Sequence, residues 1–307
     1  MLTHTIAIAL GPIVLGVGIG WVSGARNFVK REHAQAFADF VVKIALPIAL
    51  FLAALSSPAK SILNADFAAA IGVGLVVTYV AAYAYGKVIA KYGHADSTMQ
   101  ALSASFPDMA YCGPPILLAT VGSSGLISVV VGNLIYTVII LPVSLMMLSA
   151  GQKGQSISKL LLNTISQPLV FLPVLGAVFA VAGIKLPTVI TSSMDELGKA
   201  AGGVALFFLG LFLSGVHLKL KSEIIVNVVL KNIIQGAVIL GVGLALGLHG
   251  DLLKAAFIIG ILPTATAVPS LAVAHNSYTE QAASTVLLST VVSLVTMAIG
   301  VMVVAHI

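Results

Sequence analysis

Charge is scarce in this chain. Only 8% of its 307 residues are Asp, Glu, Lys or Arg, whereas a soluble domain carries about a quarter. So few charges cannot clothe a water-facing surface of this size. Most of the chain must therefore face lipid or other buried helices. Cysteine occurs once, at Cys112, which excludes an internal disulfide framework and a Cys-rich metal cluster. No spacing of ligand residues suggests a bound metal, and no phosphate-binding loop or catalytic triad is present. Gly16-Val17-Gly18-Ile19-Gly20 lies inside an apolar run with no strand before it, so it is not a dinucleotide fingerprint. No cofactor is expected. The first apolar run lacks a basic stretch before it, and its positive flank (Arg26, Lys30, Arg31) follows it. That order reads as a first membrane helix rather than a signal peptide. The isoelectric point is near 9.3, but the basic residues sit in short gaps between apolar runs. Nucleic acid is not an expected partner.

What the chain has in abundance is apolar length. Hydrophobic residues make up 59% of it, and its mean hydropathy is +1.11. A spanning helix needs about 20 mostly apolar residues. Ten stretches qualify, at 4–22, 34–56, 67–90, 97–121, 125–149, 158–182, 189–216, 223–248, 252–274 and 280–305. The runs are continuous rather than alternating, which argues against a β-barrel. The expected class is an all-α integral membrane protein with ten transmembrane helices, in contact with lipid and resident in the inner membrane. With the N-terminus outside, Arg26, Lys30, Arg31, Lys87, Lys91, Lys153, Lys159, Lys219 and Lys221 fall in cytoplasmic loops. Only Lys60, Lys185 and Lys254 fall outside. This bias predicts that both termini are external.

The chain resembles itself at an offset of 156 residues. Pro12 matches Pro168, Gly20 matches Gly176, Asp39 matches Asp195, and Lys43 matches Lys199. Ala49-Leu50-Phe51 matches Ala205-Leu206-Phe207, and Pro107 matches Pro263. Five helices per copy force the second copy upside down. The expectation is two inverted five-helix repeats, 1–150 and 151–307, an arrangement found in many secondary transporters.

Helices four and nine carry the marks of broken helices. The fourth contains Pro107-Asp108 and then Tyr111-Cys112-Gly113-Pro114-Pro115; the ninth contains Pro263-Thr264-Ala265-Thr266 and then Pro269-Ser270. Proline removes a backbone donor and clashes with the preceding turn. In a membrane such a break belongs in the protein interior or beside a water-filled cavity. Half-helix N-termini offer bare N–H groups and partial positive charge, so two broken helices crossing at mid-membrane would make an anion site. The bland alternative is kinking for packing. Asp108, Tyr111, Gly113, Pro114, Pro115, Thr264, Thr266, Pro269 and Ser270 are the candidate binding residues. Asn133 and Tyr136 in helix five either line the cavity or hold helices together. Asp39/Lys43 and Asp195/Lys199 each place opposite charges on one helix face within apolar spans, where charge is expensive. Each pair is either a neutralised structural element or, for Asp39 and Lys43, a candidate for ion coupling. His94, His217 and His249 read as loop residues, and the Ser/Thr series Ser284, Ser289, Thr290, Ser293 and Thr296 as packing.

Certain segments resemble the auxin efflux carrier family, which includes plant PIN proteins and bacterial malonate-type carriers. They are Ala45-Leu46-Pro47-Ile48-Ala49-Leu50-Phe51, Gly113-Pro114-Pro115, Ala205-Leu206-Phe207-Phe208-Leu209-Gly210-Leu211 and Leu262-Pro263. The resemblance covers the whole chain. It implies an elevator-like or rocking transporter, often dimeric. Helices one, two, six and seven would form a scaffold; helices three to five and eight to ten would form the moving core. It also implies that a substrate carboxylate binds near Pro114, Pro115 and Pro269, supported by Asp39 and Lys43. The chain departs from the family in having Asp108 near where PIN-like members carry Asn, which suits a proton or cation there. The long cytoplasmic loop of many plant members is absent.

The function expected is a secondary transporter, not an enzyme, carrying a small organic anion such as malonate with a proton or sodium ion. A sodium-coupled bile-acid-type symporter is the alternative. An intramembrane enzyme would need a convergent nucleophile and base, or a metal-binding acidic motif, which these spans do not display; a channel would give flux without saturation or coupling, which a transport assay distinguishes.

Overall fold

A computed structural model describes residues 2–56, 64–148 and 166–304. Lys60, Lys153, Lys159 and the start of the sixth apolar stretch lie outside the described residues. Helix falls within each of the ten stretches. The helices are α1 (Leu2–Ala25), α2 (Arg31–Leu55), α3 (Ala65–Ile89), α4 (His94–Ser105), α5 (Gly113–Val121) and α6 (123–148). They continue with α7 (Pro168–Val181), α8 (Thr188–Leu213), α9 (Ser222–Ala245), α10 (Gly250–Ile261), α11 (Ala267–Ala274) and α12 (Thr279–Val304). Among the described residues there is no β-strand; the sole strand-like pairing is an isolated antiparallel bridge between Pro107 and Thr264. Among the described residues, five helices are long and apolar enough to cross a membrane: α2, α3, α8, α9 and α12. Gly11–Ala25, Ser124–Ile135 and Pro168–Val181 are shorter apolar helices. The chain is thus an all-helical, multi-pass membrane protein.

Prolines shape several rods from within. In α2 a π-helical turn, Val41–Ala45, ends two residues before Pro47. In α6 the π-helical turn Tyr136–Ile140 ends two residues before Pro142. A proline within a helix has no N–H for the carbonyl four residues back and crowds it. A widened upstream turn relieves that crowding.

The residues group into two compact units. The first holds α1, α2, α5, α6 as far as Leu134, α7 and α8. Small residues set its packing, as expected where lipid supplies no hydrophobic drive between helices. Gly16, Gly20 and Gly24 form a stripe on α1 against Leu206, Phe207, Leu211 and Ser214 of α8. A Cβ on Gly20 would run into the carbonyl oxygen of Phe207, and one on Gly210 into that of Val17. On α7, a Cβ at Gly176 would meet the carbonyl oxygen of Phe51 in α2.

The second unit holds α3, α4, the end of α6 from Ile135, and α9 to α12. Its core consists of the two half-helices. Every residue from Ser97 to Ser105 in α4 is buried, as is every residue from Ala255 to Ile261 in α10. A helix buried on all sides belongs at the centre of a bundle. Glycines again permit close approach: a Cβ on Gly260 would lie 2.7 Å from the Cα of Gly236 in α9. At one end of the unit, the Tyr92 hydroxyl donates to Glu223 Oε1 at 2.7 Å. Partial burial, with the carboxylate beside it, pushes the Tyr92 hydroxyl up to about 12, so it remains a donor throughout the neutral range.

Gly20→Ala should lower the stability of the purified protein by about 1–3 kcal/mol through overpacking. Gly18→Ala should leave it unchanged, because nothing lies within 4 Å of that position. Thermal unfolding of both variants in detergent checks the contrast.

Candidate functional site

The fourth and ninth stretches are each interrupted. The helix α4 stops at Ser105 and α10 stops at Ile261, and both chains then run extended. The two extended segments pair antiparallel: Asp108 N donates to Pro263 O at 2.8 Å, and Ala265 N donates to Phe106 O at 2.9 Å. The crossing therefore lies at Pro107 and Thr264. Pro114, Pro115 and Pro269 instead sit in the first turns of α5 and α11, where a missing N–H costs little.

A helix C-terminus leaves its last carbonyls without partners, and a buried carbonyl must find one. Here several of the partners come from side chains. Thr264 Oγ1 donates to Ser103 O at 2.8 Å. Gln235 Nε2 donates to Ser105 O at 2.9 Å and to Thr78 Oγ1 at 2.9 Å. Lys231 Nζ donates to Gly260 O at 3.2 Å and to Leu262 O at 2.6 Å. The N–H of Thr264 reaches Ser289 Oγ at 2.9 Å; that hydroxyl in turn donates to Asn232 Oδ1 at 2.6 Å, and Asn232 Nδ2 donates to Ser289 O at 2.9 Å. Lys231, Asn232 and Gln235 are neighbours on α9, which carries a π-helical turn, Leu230–Ile234, at this point. Lys231, Gln235 and Thr264 are fully buried, and Asn232 is 1% exposed.

Asp108 is 1% exposed and acts electrostatically on Lys231. The ring of Phe106 stacks on Tyr136, with centroids 3.5 Å apart. The Tyr136 hydroxyl is buried and has no hydrogen-bond partner among the described residues. Thr266, 6% exposed, is the N-cap of α11, with no side-chain cap on that helix's first turn. Pro269 is buried in α11 and Ser270 is exposed on it.

The remaining candidates belong to the first unit. Cys112 is the N-cap of α5 and Gly113 its first residue, again with no side-chain cap. Tyr111 packs on Phe208, with centroids 4.7 Å apart, and Asn133 is buried in α6. Asp39 and Lys43 form an ion pair at 2.8 Å with side chains 42% and 61% exposed, and Gln35 also donates to Asp39. The matching pair, Asp195 and Lys199, lies at 2.7 Å and is exposed too. Both pairs thus sit on the surface of their unit rather than in its interior.

The sequence reading missed Lys231, Asn232 and Gln235, and took Ser289 for packing. One signal for Lys231 was present: it is the basic residue left over once loop residues and Asp/Lys pairs are assigned. Thr264→Val should cost about 1–3 kcal/mol, because it leaves the buried Ser103 carbonyl without its donor, while Thr264→Ser should cost far less. Denaturation of the two variants in detergent checks this.

A family model described as "Membrane transport protein" matches residues 5–301. The chain is 30% identical over 294 residues to "Uncharacterized transporter YfdV" of Escherichia coli strain K12, covering 91% of each. It is 27% identical to the "Putative malonate transporter" of Rhizobium meliloti, covering 84% of this chain and 82% of that one. It is also 24% identical to the "Lysosomal cholesterol signaling protein" of Mus musculus, over 89% of this chain but 34% of that much longer one. A match over nearly the whole length makes this chain a membrane transport protein, not an enzyme, and a member of the auxin efflux carrier family.

Proposed function

We propose that the protein is a coupled carrier of small organic anions, with malonate-like dicarboxylates as the leading substrate class. The observation that carries this reading is the paired break at Pro107 and Thr264. Within the second unit the break at Thr264 is followed by the half-helix α11, whose N-cap Thr266 makes no side-chain cap hydrogen bond. The start of such a helix attracts a carboxylate through the positive end of its dipole. Beside the crossing, the unpartnered Tyr136 hydroxyl offers a further donor to a bound carboxylate. The name of the Rhizobium meliloti relative supports malonate as the first substrate to try.

The proposed carrier has ten spans in two inverted repeats, 1–150 and 151–307. Two sets of contacts support this. The approach of Gly20 to Phe207 has a counterpart in that of Gly176 to Phe51, and each residue lies 156 positions from its equivalent. The crossing pairs the segment around Pro107 with the segment around Pro263, its equivalent in the second repeat. On this reading helices one, two, six and seven are a scaffold, and helices three to five and eight to ten move as an elevator. The carrier sits in the inner membrane as a homodimer with both termini outside. Proton coupling is assigned to Asp39, whose exposed carboxylate can exchange protons with water while Lys43 and Gln35 hold it.

Uptake of radiolabelled malonate into proteoliposomes should be saturable and stimulated by an imposed proton gradient. Asp39→Asn should abolish the stimulation without unfolding the protein; stimulation at the wild-type level in that variant removes Asp39 from coupling. Tyr136→Phe should weaken malonate binding about tenfold, roughly the loss of one hydrogen bond. Because it deletes a buried hydroxyl without a partner, it should not lower thermal stability. Unchanged malonate affinity in Tyr136→Phe contradicts this placement of the substrate.

A further inference from the structure

A lysine ammonium held on backbone carbonyls inside a membrane protein is costly to desolvate. An uncharged donor such as glutamine could cap a helix end, and Gln235 does that for Ser105. At the end of α10 the chain uses a lysine instead. Lys231 Nζ is bound by Gly260 O and Leu262 O. On the next carbonyl, Pro263 O, sits the backbone N–H of Asp108. The acidic side chain of Asp108 acts electrostatically on the same ammonium. Two carbonyl oxygens at a half-helix C-terminus, with one carboxylate beside them, are the oxygen set by which broken-helix transporters bind a coupling Na⁺. Hard cations of this kind take oxygen ligands.

We propose that the Lys231 ammonium is a built-in cation occupying the place of a coupling sodium ion at the end of α10, so that this carrier works without sodium. The proposal deepens the carrier reading and rests on it for its meaning. Gly236 and Gly260 make the arrangement possible, since their lack of side chains lets α9 approach α10 closely enough for a lysine to reach the carbonyls. The neutral side chains of Asn232 and Ser289 bind each other and the Thr264 N–H.

The test is thermal unfolding of the purified protein in sodium chloride and in choline chloride at equal ionic strength, with no substrate present. Wild type should unfold at the same temperature in both salts. Lys231→Ala and Lys231→Ser should each be less stable in choline, and sodium should raise their midpoints by about 4 °C near saturation. A Lys231→Ala variant that folds only in sodium is the same result in stronger form. If Lys231→Ala folds in neither salt, the Ser variant, whose short side chain leaves room for an ion, decides. A sodium-specific stabilisation of wild type overturns the proposal, as does a folded Lys231→Ser that does not respond to sodium. The readout involves no transport, so a failure of malonate uptake would count against the carrier reading and leave this result intact.

Discussion

An interrupted helix in an apolar interior has a backbone problem that water cannot solve. Each half-helix ends with carbonyls that no further turn will satisfy, and in lipid every such group needs an internal partner. Two interruptions solve part of the problem together, by pairing Asp108 with Pro263 and Ala265 with Phe106 across an antiparallel crossing. Thr264 gives its hydroxyl to the Ser103 carbonyl, and α9 supplies Lys231 and Gln235 to further carbonyls and Asn232 to the serine that holds the Thr264 N–H. Lys231, Asn232 and Gln235 on this otherwise apolar helix are explained by that duty. So is Gly236, which lets the helix come close enough for the side chains to reach.

The prolines divide the labour. Pro107 and Pro263 lie in the extended segments, where a fixed φ and a missing N–H suit a chain that has left the helix. Pro114, Pro115 and Pro269 sit in first turns, where they start new helices. Pro47 and Pro142 are tolerated inside helices because π-helical turns precede them. One residue type thus breaks, starts and bends helices, according to which backbone groups surround it.

Much of the helical plan was legible in the sequence because it follows from apolar length. A run such as 67–90 is long and apolar enough to span as a helix, and it becomes Ala65–Ile89. The two interruptions were legible because proline leaves a direct mark. The exact crossing residues were not: each stretch has several prolines, and only the three-dimensional pairing distinguishes Pro107 from Pro114. The exposure of Asp39 and Lys43 was also hidden, because helical spacing reveals a shared face but not what that face meets. Lys231 escaped for a different reason. A lone basic residue in an apolar run looks like an anomaly until its carbonyl partners, about 30 residues further along the chain, are seen.

The crossing itself is open to direct measurement, because the chain has a single cysteine. With Cys112→Ser as background, Phe106→Cys and Ala265→Cys would place two thiols on residues joined by a crossing hydrogen bond. Facing residues of an antiparallel pair lie about 5 Å apart, within the span of a disulfide. Mild oxidation of the folded protein should link them, so that neither thiol takes up an alkylating mass tag afterwards. Two thiols that both remain taggable after oxidation would contradict the antiparallel crossing on which the account of this carrier rests.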